Sequence, residues 1–153
     1  MAEHDDRLSA WRALLLAQSR VLRAIEADLS RKRLLRLGWY DVLLELNAAP
    51  GRRLRMQELA SQVVLSRTRV SRLVDELVKE GLVERLPDPD DGRAAFAVLT
   101  RPGRDELRRT APAYLSGIEE HFTRFLDDAE RAVISEALGR VADHHAPLES
   151  ERR

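Results

Sequence analysis

Cysteine is absent from the 153-residue sequence, and this absence excludes disulfide bonds, thiolate catalysis and thiol-based redox sensing. Aromatic residues are scarce at 5%, but 44% of the residues are hydrophobic and 34% are charged, which is typical of a globular protein. The length is sufficient for one domain, or for two small lobes that share a core.

Sequence features of secretion, membrane insertion and catalysis are also missing. The first ten residues, MAEHDDRLSA, are acidic and lack the apolar segment of a signal peptide, and no apolar run approaches the roughly 18 residues of a membrane span. We therefore expect a cytoplasmic protein. A P-loop, a dinucleotide-binding fingerprint and a Ser/His/Asp set are all absent, so we predict no enzymatic activity and no cofactor. The four histidines are too scattered to predict a metal site.

Charge is balanced in total but unevenly distributed along the chain. Lysine and arginine together number 26, as do aspartate and glutamate, so the net charge points to no particular partner. Residues 51–75 contain six arginines and two acidic residues, a local charge of +4. Residues 119–136 contain six acidic residues and two arginines, a local charge of −4. This separation favours anion binding at one end, although two ordinary solvated faces would give the same pattern.

Hydrophobic spacing predicts helices at both ends of the chain. Apolar residues from Leu8 to Leu29 follow heptad-like spacing, which indicates a long helix with an apolar seam facing a partner. A second helix is predicted over about 39–48. Thr100 is predicted to cap a further helix that reaches about Phe125, bent or interrupted near its proline and glycine. A D-x-x-E capping box, which starts at Asp127, predicts a last helix over 128–144.

The middle of the chain has the order of elements of a winged helix-turn-helix. A very short strand is predicted at 54–56, followed by a helix over about 57–63. Ser66 is a suitable N-cap for a second helix, which runs to about residue 80. The segments LVERL and AFAVL then predict two strands around the loop PDPDDGR. We therefore predict a mainly α-helical fold with a small β-hairpin wing, in which a winged helix-turn-helix lobe joins a helical dimerisation lobe.

The helix predicted over 66–80 has a composition suited to the major groove of DNA. Its apolar residues form one stripe at helical spacing. The opposite face is predicted to present the polar residues Thr68, Arg72, Asp75 and Lys79, with Arg69 and Ser71 beside them. Arginine can bridge guanine O6 and N7, and hydroxyl groups can contact bases or phosphates. An inert basic face is the alternative for this helix taken alone.

The loop at 87–93 is predicted to place one arginine at the tip of the wing. Its two prolines stiffen the backbone, any of its three aspartates can accept hydrogen bonds from nearby amides, and Gly92 admits positive φ. Arg93 can then reach the minor groove, where negative potential is concentrated. Asp91, two residues earlier, can orient the guanidinium group of Arg93. A plain solvated hairpin loop is the alternative.

Together these motifs resemble the MarR family of winged-helix transcriptional regulators. The matching segments are ELA, VSRLVDEL, GLVER, DPDDGR and LT-x-x-G, and the similarity extends over about residues 35–107. The resemblance implies a homodimer in which the first and last helices of two chains interlock. It also implies that each chain places its recognition helix in a major groove and its wing in the adjacent minor groove. The absence of cysteine separates this sequence from the thiol-oxidation sensors of the family.

The resemblance also implies roles for individual residues. Arg93 matches the arginine of the wing tip, Asp91 matches the aspartate that supports it, and Arg55 and Arg85 are implied phosphate contacts. The predicted DNA-binding residues are Arg55, Ser66, Arg67, Thr68, Arg69, Ser71, Arg72, Arg85, Asp91 and Arg93. Residues 1–48 and 104–146 are predicted to form the helical dimerisation region, and residues 49–103 the DNA-binding domain.

The resemblance implies an effector site as well, because many members of the family bind a small aromatic or phenolic molecule. The candidate residues are Trp39, Tyr40 and Asp41 at the start of the second helix, with Trp11 from the first. A Trp/Asp/Arg set is similar to that of urate-type sensors in the family, and Arg72 and Arg85 would supply its arginines. In the alternative interpretation, the two tryptophans are core or interface residues.

We therefore predict a homodimeric, sequence-specific DNA-binding transcriptional regulator, acting as a repressor on a pseudo-palindromic double-stranded operator and released by a small effector. The alternative is a winged-helix module that binds a protein partner and no DNA.

Overall fold

A computed structural model describes residues 2–64 and 69–146 of the chain, with side chains from residue 8 onwards. Within these ranges the fold is mainly helical and contains one small antiparallel sheet, as predicted. The helices are α1 (Ala2–Arg31), α2 (Leu37–Ala48), α3 (Met56–Gln62), α4 (Val70–Lys79), α5 (Arg101–His121) and α6 (Asp128–His144). The strands are β1 (Arg53–Arg55), β2 (Val83–Pro87) and β3 (Ala95–Leu99).

The chain divides into two compact units. One combines Met1–Ile25 with Leu115–Arg153, and the other comprises Glu26–Tyr114. The second unit contains α2, α3, α4 and all three strands, and therefore the whole winged helix-turn-helix. The predicted division into a dimerisation region and a DNA-binding domain concerns function, and it stays a prediction.

The core of the second unit lies where its helices pack on the sheet. Leu43 and Leu46 of α2, Leu59 of α3, and Val74 and Leu77 of α4 have no exposed surface. Burying a side chain of this size stabilises a fold by about 1.5–3 kcal/mol. The cluster therefore determines which side of α4 faces inward.

The sheet has β3 at its centre, paired antiparallel with β1 on one side and β2 on the other. Ala97 of β3 lies opposite Leu54 of β1 and Arg85 of β2. Leu54 and Ala97 are buried, whereas Arg53 and Arg55 are exposed, because successive side chains of a strand point to opposite faces. This alternation turns both arginines of β1 away from the core.

Two predicted helix starts are confirmed by their capping bonds. The Thr100 hydroxyl accepts a hydrogen bond from the N–H of Gly103 at 3.1 Å and donates to the carbonyl of Gly81 at 2.8 Å. Asp127 Oδ1 accepts from the N–H of Glu130 at 2.8 Å, and Glu130 Oε2 accepts from the N–H of Asp127 at 2.9 Å. The reciprocal pair is the capping box that the sequence predicts for α6.

Two other helix boundaries differ from the prediction. Helix α2 begins at Leu37, two residues early, because the carboxylate of Glu26 accepts the hydrogen bond of the Leu37 N–H at 2.8 Å. Helix α5 continues through Pro112 as a single helix and ends at His121, and Thr123–Phe125 form a separate 3-10 turn. The contact of Glu26 joins residues eleven positions apart, so helix periodicity does not reveal it.

The first unit leaves many large apolar side chains exposed. Trp11, Phe125 and Val133 have 58%, 69% and 65% of their surface exposed. An apolar groove of about 580 Å³ lies between α1 and α6, and Leu14 and Leu138 are among its lining residues. Single exposed apolar residues are common, but a contiguous apolar face usually marks a surface that binds a partner.

Residues 2–64 and 69–146 contain neither a candidate membrane span nor a candidate cluster of metal ligands. No helix there has both the length and the apolar character needed to cross a bilayer. The same part of the chain contains no group of three or more histidine, aspartate or glutamate side chains placed to hold a metal ion.

We predict that replacement of Gly103 by alanine lowers the stability of the fold. A Cβ atom at this position would lie 2.1 Å from the carbonyl oxygen of Leu82 and 2.8 Å from Leu99 Cδ1. We expect Gly103→Ala to lower the free energy of unfolding by about 1–3 kcal/mol, measured by urea denaturation. Gly139→Ala is the matched control, because nothing lies within 4 Å of its Cβ position in α6, and it should raise stability. If Gly103→Ala is as stable as the wild type or more stable, the structure accommodates the added Cβ atom without a cost in free energy.

Candidate nucleic-acid interface

Helix α4 presents the polar face that the sequence predicts. Val70 and Val74 are buried, while Ser71 and Asp75 are exposed and the Arg72 side chain is 82% exposed. Lys79 and Arg69 are exposed as well. The described part of the helix begins at Val70. The predicted N-cap Ser66 and the predicted contacts Arg67 and Thr68 lie outside the described residues.

Asp41 supports the segment that leads towards the recognition helix. The residue is 7% exposed, and its Oδ2 accepts a hydrogen bond from the N–H of Val64 at 3.0 Å. Val64 itself has 77% of its surface exposed, so the Asp41 carboxylate restrains the backbone of a solvent-exposed segment. Asp41 was predicted only as an effector residue, because its bond to Val64 joins residues 23 positions apart and local spacing does not reveal it.

Arg85 connects the wing to the recognition helix. Its Nη2 donates to the carbonyl and to the hydroxyl oxygen of Ser71, both at 3.2 Å, and lies 2.9 Å from Asp75 Oδ1. Arg85 was predicted to contact phosphate, and the structure gives its guanidinium group three partners on α4. These bonds join β2 to the exposed face of α4.

The aspartates of the wing loop organise its backbone as predicted. Asp88 Oδ1 accepts from the N–H of Asp90 at 2.9 Å, and Asp91 Oδ1 accepts from the N–H of Arg93 at 3.0 Å. The Ala94 N–H donates to the Asp91 carbonyl at 2.9 Å and closes a four-residue turn. Asp88 and Asp91 are therefore the two aspartates of the loop whose side chains accept hydrogen bonds from backbone amides.

Two details of the wing correct the prediction. Gly92 does not adopt positive φ, because the turn closed by Asp91 and Ala94 is compatible with negative φ at its central residues. Asp91 holds the main-chain N–H of Arg93, and no carboxylate in the described part of the chain forms an ion pair with the Arg93 guanidinium. The exposed side chain of Arg93 therefore keeps its charge available at the tip of the wing.

An ion pair with one buried partner ties the base of the wing to β1. Arg55 Nε lies 2.8 Å from Asp88 Oδ2, and the Asp88 side chain is 1% exposed. This oxygen has no hydrogen-bond partner, so its attraction to Arg55 is Coulombic. The guanidinium groups of Arg53 and Arg55 also lie 5.0 and 5.7 Å from the ring centre of Phe96. The sequence alone does not show which of the three aspartates in this loop is buried, so Asp88 was not distinguished from the other two.

The wing and the start of α4 enclose a groove of about 620 Å³. Five of the predicted DNA-binding residues line it: Arg55, Ser71, Arg85, Asp91 and Arg93. Three of these five carry guanidinium groups, which attract phosphate through charge and hydrogen bonding. The structure thus brings five predicted contacts to one groove, whereas Arg69 and Arg72 are not among its lining residues.

Glu76 connects α2 with the exposed face of α4. Its Oε2 accepts from Arg36 Nη2 at 2.7 Å and from Trp39 Nε1 at 3.1 Å, and its Oε1 lies 3.3 Å from Arg72 Nε. The Arg36 guanidinium also stacks over the Trp39 ring at 4.3 Å from its centre. The hydrogen bond from Trp39, followed by that from Arg36, lowers the pKa of Glu76 from its ordinary value. Glu76 was not among the predicted site residues, because helical spacing does not reveal partners that lie 37 and 40 positions away.

Among the residues predicted to bind an effector, Tyr40 and Asp41 both lie near Tyr114, whereas Trp39 contacts Glu76. Trp39 donates to Glu76, Asp41 accepts from Val64, and the Tyr40 ring lies 4.5 Å from the Tyr114 ring. Burial, followed by the neighbouring Tyr114, raises the pKa of Tyr40 above its ordinary value. A cavity of about 340 Å³ is lined by Trp39 but by neither Tyr40 nor Asp41. Trp11 belongs to the other compact unit.

The chain is similar to known regulators in sequence and in fold. A sequence model of the MarR family matches residues 33–94. Sco3205, a MarR family transcriptional regulator from Streptomyces coelicolor solved in complex with DNA, is 32% identical, with a TM-score of 0.84 over 95% of this chain and 91% of that chain. AbsC, a MarR family transcriptional regulator from the same organism, is 30% identical, with a TM-score of 0.81 over 92% of this chain and 94% of that chain.

A shorter match involves a protein described as a repressor. The transcriptional repressor MprA of Escherichia coli is 33% identical over 73 residues, which cover 48% of this chain and 42% of MprA.

The contribution of Glu76 to stability should depend on pH. Its pKa is lowered from 4.5 in the folded protein, so its stabilising effect is fully present above about pH 4.5 and is lost as the pH falls through the lower folded-state value. We expect Glu76→Gln to lower the urea midpoint at about pH 7, and the difference from wild type to shrink below about pH 4.5. A difference that stays constant on acidification would contradict a stabilising role of the carboxylate charge.

Proposed function

The chain belongs to the MarR family of transcriptional regulators, and we propose that it acts in the cytoplasm as a homodimeric repressor that binds a pseudo-palindromic DNA operator. The groove lined by Arg55, Ser71, Arg85, Asp91 and Arg93 is the observation that carries this proposal. It sets the exposed face of a helix beside an arginine-tipped wing within one compact unit. The similarity to Sco3205, which was solved with DNA, supports a nucleic-acid partner for this surface.

The proposed contacts divide between the two grooves of DNA. Arg72, on the outer face of α4, would read base edges in the major groove together with Ser71 and Arg69. Arg93, which has no acidic partner among the described residues, would enter the minor groove. We also keep Ser66, Arg67 and Thr68 as proposed contacts, and these depend on the family resemblance alone.

Arg55 and Arg85 would act on the phosphate backbone from fixed positions. Their side chains are 47% and 35% exposed, although each already pairs with an aspartate of the same unit. The pairing restrains the guanidinium groups and leaves part of each accessible. We propose that both arginines attract phosphates while they hold the wing in place.

Dimerisation is proposed to occur through the apolar face of the first unit. The groove between α1 and α6 and the exposed side chains of Trp11, Phe125 and Val133 give this unit an apolar surface that a second copy could cover. A two-fold dimer would present two recognition helices to two half-sites, separated by about one helical turn, roughly 34 Å. Residues 1–48 and 104–146 would then serve dimerisation, and residues 49–103 would bind DNA.

We propose that a small aromatic or phenolic effector releases the repressor. Trp11, Trp39, Tyr40 and Asp41 remain the candidate residues for its site. Such a molecule can change DNA affinity only to the extent that it binds the DNA-incompatible state more tightly. Thermal-shift screening with phenolic acids and urate would identify it.

Selection of bound duplexes from a random DNA library should yield a pseudo-palindromic sequence. On the selected duplex and on other sequences, Arg93→Ala should weaken binding and reduce the slope of log K against log salt by about one unit, because one phosphate-directed charge is lost. Arg108→Ala is the matched control, since this arginine is exposed on α5. Failure of the wild type to bind any duplex would refute the function, and an unchanged salt slope in Arg93→Ala would refute its wing-tip role.

The wild type should sediment as a dimer at micromolar concentration. Val133→Asp should raise the dimer dissociation constant on the order of 100-fold, because a charged group would enter an apolar interface. Val64→Asp is the control, since Val64 is 77% exposed but lies in the other compact unit. Sedimentation of the wild type as a monomer, or an unaffected Val133→Asp dimer, would contradict the proposed interface.

A further inference from the structure

Glu76 has no part in the proposed DNA contacts, yet it touches the arginine that would read the bases. We propose that Glu76 is a positioning residue that directs Arg72 towards a base edge, and that Trp39 and Arg36 hold Glu76 in place for this task. The inference rests on the proposed function. It assigns a specificity-determining role to Trp39 that differs from effector binding.

The Glu76 carboxylate is divided between two elements of the fold. Oε1 of Glu76 lies 3.3 Å from Arg72 Nε, while Oε2 accepts two hydrogen bonds, from Arg36 and Trp39. Both donors to Oε2 come from α2 or the residue before it, outside the recognition helix. One oxygen thus faces the DNA-reading side chain and the other faces the core-packed helix.

Arg72 would sample many conformations without a restraint. Its side chain is 82% exposed, and a long exposed side chain samples many rotamers unless something restrains it. An i,i+4 ion pair on an open surface restrains it weakly, because both partners move. Here one partner is fixed, since Glu76 is bonded to the Trp39 ring and to an Arg36 guanidinium that stacks on that ring.

Arg72 keeps hydrogen-bond donors for DNA while it is paired with Glu76. With Nε of Arg72 directed to Glu76, its two terminal nitrogens stay available for the O6 and N7 atoms of guanine. Loss of the restraint removes neither the charge nor the hydrogen-bonding groups of Arg72. The expected consequence is a loss of discrimination between bases, with attraction to the DNA backbone retained.

The test compares base preference in Glu76→Gln, Trp39→Phe and Arg72→Ala with that of the full-length wild type. Each protein is used to select duplexes from a random library, without added effector, and binding to selected and point-substituted duplexes is then titrated. Glu80→Gln is the matched control, because it also removes one negative charge at the end of α4 but Glu80 has no ion pair with Arg72. Melting curves confirm that each variant is folded at the assay temperature.

We expect Glu76→Gln and Trp39→Phe to reduce discrimination by about tenfold at the base position that Arg72→Ala identifies, and at no other position. On an unrelated duplex, Glu76→Gln should bind as tightly as Glu80→Gln, because both lack one negative charge. Trp39→Phe should bind that duplex as tightly as the wild type. In the Arg72→Ala background, neither further substitution should change base preference, because the side chain to be positioned is gone.

Three results would overturn the inference. The positioning role would be refuted if Arg72→Ala alters base preference but Glu76→Gln and Trp39→Phe do not. The proposed function would then remain intact. An equal loss of affinity for all duplexes in Glu76→Gln would show that Glu76 has a purely structural role. If Arg72→Ala leaves base preference unchanged although the wild type selects a sequence, the base-reading role and this inference fail together.

Discussion

The burial of one side of α4 determines where every other element of the candidate site can act. Val74 and Leu77 have no exposed surface, so rotation of the helix about its axis would carry apolar side chains into water. Each such side chain stabilises the buried state by about 1.5–3 kcal/mol. Arg72 and Ser71 are therefore held outward by the packing of residues on the opposite face.

A second constraint is the pairing of arginines with acids around this helix. Arg55 pairs with Asp88, Arg72 with Glu76 and Arg85 with Asp75. Exposed pairs contribute little stability, but each limits the directions that a long side chain can take. This explains how a chain with equal numbers of basic and acidic residues can present an arginine-lined groove: the acids orient the cations without removing them from the surface. Arg93 differs, because Asp91 binds its backbone N–H and no carboxylate among the described residues pairs with its guanidinium group.

Residues whose partners are near in sequence were predicted well, and residues with distant partners were not. The capping box of Asp127 and Glu130 spans three residues, and its bonds form as expected. The early start of α2 depends on Glu26, the backbone at Val64 depends on Asp41, and Glu76 gains its donors from α2. Local spacing carries no information about such contacts, which explains why Glu76 was overlooked and why Asp41 was given only an effector role.

By itself, the sequence determined the order of the helices and strands, the polar face of α4 and the arginine at the wing tip. These features follow from helical and strand periodicity, from capping residues and from turn chemistry, all of which act over a few positions. Only the tertiary structure decided which acid is buried against Arg55, that Ser71 and Asp75 hold Arg85, and that Arg72 shares a carboxylate with Trp39. The physical reason is that these ion pairs and hydrogen bonds form between segments that only the packed core brings within bonding distance.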